Sequence, residues 1–235
     1  MPSFIGEQAD AILLEDGTGS DLACDATWLI PEDAEALLVL AHGAGADHRR
    51  ASMSAIARAF CDAGIATLRF NFPFMQQRKR RVDAKDIAMD AIARAQVIAS
   101  AQARASGIPR VLLGGHSFGG RMSTHAVAEL NVPCDGLILC SFPLHPARKP
   151  STRRAAHLAD IRSPMLFLSG TRDDLADADL LTRVVGGLHD ARLHWLDTGN
   201  HSYATLKRTR THALTIFEEM AEVAGRFVRD QMIVT

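Results

Sequence analysis

The residues richest in chemical content are Gly115-His116-Ser117-Phe118-Gly119. The apolar run before them, Val111-Leu112-Leu113-Gly114, predicts a buried strand, and Gly120 to Leu130 predicts a helix. A serine with glycines two residues to either side, at a strand-to-helix junction, is a nucleophile elbow. The tight turn lifts the hydroxyl above the sheet, and the glycines lack the Cβ that would hold strand and helix apart. A serine hydroxyl attacks poorly until a base takes its proton and a third group orients that base. Histidine is the expected base and a carboxylate the expected orienter. Both should lie beyond the carboxyl ends of strands, where open α/β sheets gather their functional residues.

Two segments meet that requirement. The strand Met165–Ser169 runs into Gly170-Thr171-Arg172-Asp173-Asp174, which sets two carboxylates just past a strand end. Asp173 comes first after the turn and is the preferred acid. Asp174 is the alternative, or the cap of a helix beginning near Leu175. The strand Leu193–Leu196 runs into Asp197-Thr198-Gly199-Asn200-His201, which sets His201 past the last strand. The resulting order, Ser117, Asp173, His201, is that of the strand-to-helix serine enzymes. The rival histidines are worse placed. His194 falls inside a strand, His189 lies in a connection at the opposite sheet edge, and His116 should point away from Ser117.

A tetrahedral oxyanion needs donors. The backbone N–H of Phe118, at the start of the elbow helix, is one. The second is assigned to Ala44 in His42-Gly43-Ala44-Gly45, a loop of small residues after the strand Ala36–Ala41. His42 is expected to hold that loop by hydrogen bonds rather than to move protons.

These residues need a frame. Residues 11–14 and 22–30 flank the turn-rich Asp16–Ser20 and predict an antiparallel hairpin. After it, strands at 36–41, 65–70, 111–114, 136–140, 165–169 and 193–196 alternate with helices at 51–63, 82–106, 120–130, 175–187 and 204–230. A short helix is predicted near 152–160. The alternation implies a mostly parallel sheet with helices on both faces, in one domain spanning residues 1–235.

Composition narrows the function classes. With 47% hydrophobic residues the chain can bury a large core, and a net charge of −1 gives no global pull toward nucleic acid or anionic membranes. No apolar run approaches the ~20 residues of a membrane span, and no signal peptide is evident. The four cysteines are scattered, as expected of buried thiols in a reducing, cytoplasmic compartment. No histidine pair has metal-ligand spacing, so no metal and no cofactor are expected.

The set His42–Gly45, Gly115–Gly119, Gly170–Asp173 and Gly199-Asn200-His201-Ser202, in that order, resembles the α/β-hydrolase superfamily from about residue 20 onward. The resemblance is closer to small, nearly lidless members such as dienelactone hydrolases. It is closer still to a branch of predicted hydrolases typified by a subunit of the non-specific-lethal histone-acetylation complex. In that branch Phe70-Asn71-Phe72-Pro73-Phe74-Met75 and Ser141-Phe142-Pro143-Leu144-His145 look familiar. The resemblance implies an α/β-hydrolase fold without a cap domain. Dienelactone hydrolases use a cysteine nucleophile, and the serine here departs from their chemistry.

Two features bear on the substrate. Only 24 residues separate Cys140 from Met165, too few for a cap, so the pocket should be shallow and open. Ten of the 26 Lys and Arg residues fall in three loops after strands: Arg49 and Arg50; Arg78 to Arg81; and Arg148, Lys149, Arg153 and Arg154. They predict a positive rim that draws an anionic acyl substrate, with Arg78 as a contact, or else an ordinary solvated surface. Phe72 and Phe142 are candidates for an apolar acyl pocket, with His42 beside them, and equally for core edge. The expected activity is hydrolysis of a small-molecule carboxylic ester or thioester. The alternatives are a hydrolase fold serving as a binding or complex-forming module, and a peptidase. Nothing in the sequence bears on oligomeric state.

Overall fold

The computed structural model describes residues 4–206 and 208–230. Its strands are β1 (Phe4–Glu15), β2 (Asp21–Pro31), β3 (Ala36–Ala41), β4 (Ile65–Phe70), β5 (Val111–His116), β6 (Leu137–Cys140), β7 (Met165–Gly170) and β8 (Ala191–Leu196). Its helices are α1 (Ala51–Asp62), α2 (Pro73–Gln76), α3 (Lys85–Ser106), α4 (Phe118–Leu130), α5 (Ala178–Gly186) and α6 (Ile216–Asp230), with a 3-10 segment over Arg153–Asp160. The eight strands form one sheet in the order β1-β2-β4-β3-β5-β6-β7-β8. β2 runs antiparallel to both β1 and β4, and every other pairing is parallel.

Strand periodicity divides the core into two layers. Leu37, Val39 and Ala41 of β3 face one apolar cluster with residues of α3, α4 and α5, whereas Ala36, Leu38 and Leu40 face another with α1 and α6. Successive side chains of a strand point to opposite faces. Strands buried on both faces therefore read as continuous apolar runs. This is the three-layer arrangement, a mostly parallel sheet with helices on both faces, predicted from the alternation.

Several boundaries differ from the sequence reading. The first strand reaches back to Phe4, pairing along β2 instead of being confined to residues 11–14. The elbow helix begins at Phe118, directly after the serine. Phe72 to Gln77 contains a short helix that was not expected, with Pro73 in its first turn, where proline's fixed φ suits helix initiation. The helix predicted from Leu175 starts at Ala178, and its cap is Asp177, whose side chain accepts from Leu180 N–H. Asp174 therefore does not cap it. The last helix, predicted from 204, starts at Ile216. Thr215 and Glu218 form a reciprocal capping box: Glu218 N–H donates to Thr215 Oγ1 (3.3 Å) and Thr215 N–H donates to Glu218 Oε2 (2.7 Å). Upstream, Arg210 donates to the carbonyls of Asp197 and Leu214 and to the Glu219 carboxylate. Side-chain bonds thus anchor that segment, which among the described residues carries only an isolated turn at 206–210. No helix among the described residues is long and apolar enough to cross a membrane.

Candidate active site

The carboxyl ends of β3, β5, β7 and β8 carry the four segments singled out above. Ser117 joins β5 to α4 with φ 52° and ψ −114°, a conformation that costs a non-glycine residue about 1–3 kcal/mol. The glycines around it permit the turn. A Cβ on Gly115 or Gly119 would come within 2.2 or 2.4 Å of the Ala41 carbonyl oxygen on the neighbouring strand. The turn is pinned by the Ser117 N–H, which donates to the Cys140 carbonyl at 2.9 Å.

Ser117 Oγ lies 2.8 Å from His201 Nε2, and His201 Nδ1 lies 2.9 Å from both carboxylate oxygens of Asp173. A carboxylate only accepts, so Nδ1 carries the ring proton and Nε2 offers a lone pair to the serine hydroxyl. The Asp173 side chain has 0% exposure and that of His201 20%. Asp173 Oδ1 also accepts from the Leu175 N–H at 2.9 Å. Asp174 is exposed. The acid and histidine loops pack backbone on backbone: a Cβ on Gly170 would meet the Gly199 carbonyl oxygen at 2.2 Å. The Arg172 N–H donates to that same carbonyl at 2.9 Å.

Two further histidines hold the loops, and both are kept neutral. His116 Nε2–H donates to the His201 carbonyl at 2.8 Å, and the two rings lie 5.2 Å apart. Burial pushes the pKa of His116 down to about 4. The sequence reading set His116 aside as a base, and its grip on His201 has no sequence signal. His42 Nδ1–H donates to the Gly43 carbonyl at 2.8 Å, and its Nε2 accepts from the Phe72 N–H at 3.1 Å. Its pKa, too, is pushed down to about 4 by burial. His42 thereby ties the Gly43–Gly45 loop to the chain after β4. That loop lies over the elbow, since a Cβ on Gly43 would sit 3.6 Å from Ser117 Cβ. Ala44 is exposed in the turn that Ala46 N–H closes onto the Gly43 carbonyl, and Phe118 is half-buried. Beyond His201, Tyr203 is buried and donates its hydroxyl to the Leu168 carbonyl at 3.0 Å.

The remaining candidates lie elsewhere. Phe72 and Phe142 are fully buried and present no surface to a ligand. Phe72 packs edge-on to His42, Phe70 and Phe118, because the helix after it folds its ring inward; Phe142 packs on Phe167. Of this aromatic cluster, Phe118 is the member with exposed surface. Arg78 is exposed at the end of α2, with φ 55°, and has no bond to Ser117, His201 or Asp173 among the described residues. The charge of Lys79 in the same loop is felt at Asp16 and Asp83.

The fold and this arrangement define an α/β hydrolase. The chain belongs to the alpha/beta hydrolase domain family, whose profile matches residues 34–229. Among solved structures it is similar to a dienelactone hydrolase from Anabaena variabilis (TM-score 0.69, 16% identity, covering 95% of this chain and 98% of the other). It is also similar to an esterase domain from Rhodothermus marinus (TM-score 0.66, 17% identity, 95% and 98%). A third likeness is to a serine hydrolase without a lid from Xanthomonas campestris (TM-score 0.60, 19% identity, 96% and 94%).

Proposed function

We propose that this protein is a serine hydrolase that cleaves a carboxylic ester or thioester through an acyl-enzyme. The observation that carries this reading is the unbroken hydrogen-bonded chain from Ser117 Oγ through His201 to the buried Asp173. Ser117 attacks the acyl carbon while His201 Nε2 takes its proton. Asp173 holds the tautomer in which Nε2 is free and stabilises the imidazolium that forms. The backbone N–H groups of Phe118 and Ala44 receive the oxyanion. His201 returns the proton to the leaving group, and water, activated the same way, releases the acid.

The positive loops add a preference for anionic acyl substrates, and the short connection between β6 and β7 suits an open pocket. The free thiols of Cys24, Cys61, Cys134 and Cys140 suit a reducing cytoplasm. The likeness to the branch typified by the non-specific-lethal complex subunit rests on Phe70–Met75 and Ser141–His145 alone.

The test is turnover of short p-nitrophenyl esters and acyl thioesters, with stopped-flow detection of a burst equal to the enzyme concentration. Turnover that disappears in Ser117→Ala supports the reading. A folded wild-type protein that turns over neither class contradicts it and favours a binding module.

A further inference from the structure

The 3-10 segment Arg153–Asp160 lies against α4. His157 Nε2 is 2.8 Å from Thr124 Oγ1, and the rings of His157 and His125 stack at 3.6 Å with 14° between their planes. Residues three or four apart share a stripe of an α-helix, and residues three apart eclipse in a 3-10 helix. Arg121 therefore shares the stripe of Thr124 and His125, and Arg154 shares that of His157. The contact joining Thr124 to His157 sets the two arginines on facing stripes, one turn toward the N-terminus of each element. Ser117 lies on the same stripe of α4, four residues before Arg121, or about 6 Å along the axis. Side chains of a helix lean toward its N-terminus, here toward Ser117. The Arg121 N–H itself donates to the Ser117 carbonyl at 3.0 Å.

Among the described residues this pair of like charges has no ion-pair partner. Arg121 Nε is buried with no hydrogen-bond partner among the described residues. Burial, and then the charge of Arg154, push its pKa down, and no carboxylate acts on it. The nearest acid on α4, Glu129, is occupied by Lys85 and His125. Placing a half-buried guanidinium beside a second one, with nothing to neutralise them, is unfavourable unless a ligand brings the missing charge. The loop Arg78–Arg81 differs, because carboxylates lie within the reach of its charge: that of Lys79 acts on Asp16 and Asp83.

We propose that Arg121 and Arg154 form an oxyanion-binding subsite flanking Ser117, which takes a carboxylate or phosphate of the substrate a few bonds from its scissile carbonyl. The proposal rests on the hydrolase reading for its substrate and deepens it: the anion is held by the forked donors of Arg121, opposite Arg154. The anionic preference of the positive loops is thereby narrowed to this flank.

Two readouts on wild type, Arg121→Gln and Arg154→Gln test it. The first is calorimetric titration with glutarate and, separately, inorganic phosphate, which distinguishes the two anion types without catalysis. The second is kcat/KM for the p-nitrophenyl half-ester of glutarate against p-nitrophenyl valerate, a neutral isostere of similar length. We expect saturable binding of at least one anion, weakened about tenfold or more in each variant. The half-ester-to-valerate ratio should fall by a similar factor, mainly through KM, and fall in wild type as salt is raised. Arg154→Gln changes a residue of the short 3-10 segment and leaves the elbow helix intact, so it keeps the test open where Arg121→Gln lowers the yield of folded protein. Valerate turnover with an equal half-ester ratio in all three proteins, and no anion binding, overturns the subsite while leaving the hydrolase standing. Anion binding lost in both variants, with neither ester turned over by wild type, supports the subsite and overturns the hydrolase reading.

Discussion

The two flanks of Ser117 are built differently. On the side of β7 and β8 the side chains that meet Ser117 and His201 are paired: Asp173 accepts from His201 and Leu175, and His116 grips the His201 carbonyl. On the side of the 3-10 segment, a half-buried arginine faces another with no partner for its Nε among the described residues. The first flank is complete without a ligand and is suited to fixing geometry. The second is incomplete and is suited to receiving charge. Chemistry that must recur unchanged at each turnover belongs on the former, and discrimination between substrates on the latter.

The largest expected effects break the paired flank. Ser117→Ala should lower kcat by about 10⁴-fold or more, and Asp173→Asn, which keeps the shape but frees the wrong tautomer, by about 10³–10⁴-fold. Steady-state assays on a p-nitrophenyl ester check both. His116→Leu removes a donor from the His201 carbonyl and should cost about 10–100-fold in kcat with little change in KM, equivalent to roughly 1–3 kcal/mol. His116→Gln, which retains a donor, should recover part of the loss. A purely packing role for His116 predicts the opposite ranking. The half-ester ratio of the Arg121 and Arg154 variants comes next and reports on the unpaired flank alone.

Acid should loosen the fold around Ser117 through its buried histidines. His42, His116 and, in the 3-10 segment, His157 have folded pKa values pushed down to about 4 by burial, against 6.5 for an unperturbed histidine. Between those values the unfolded chain binds protons that the folded chain does not, so stability is full above about pH 6.5 and declines as pH falls toward 4. Urea melts across that window should show the decline, and it should be shallower in His116→Leu.

Much of this frame was legible because the physics is local. Buried parallel strands read as apolar runs, glycines mark the elbow, and the segments bearing Asp173 and His201 each follow such a run. What was not legible depends on contacts far apart in sequence. His116 meets the carbonyl of a residue 85 positions away, and the Arg121 stripe acquires meaning only when the segment after β6 folds onto it. Phe72 and Phe142 follow strand ends and read equally as pocket or core edge; the turn through Pro73 and the ring of Phe167 draw them into the core. The start of α6 was readable in principle. Thr215 and Glu218 have capping-box spacing, while the threonines upstream compete with helix formation. Thr215→Ala is accordingly the smallest effect expected: about 1 kcal/mol of stability lost in thermal melts, with kcat unaffected, since it touches neither flank.

The most direct measurement of the central claim is labelling with a fluorophosphonate, read by intact mass and peptide mapping. Wild type should take up one adduct, on Ser117, and Asp173→Asn should label far more slowly. Absence of labelling in folded wild type, or an adduct on another serine that persists in Ser117→Ala, would contradict the account.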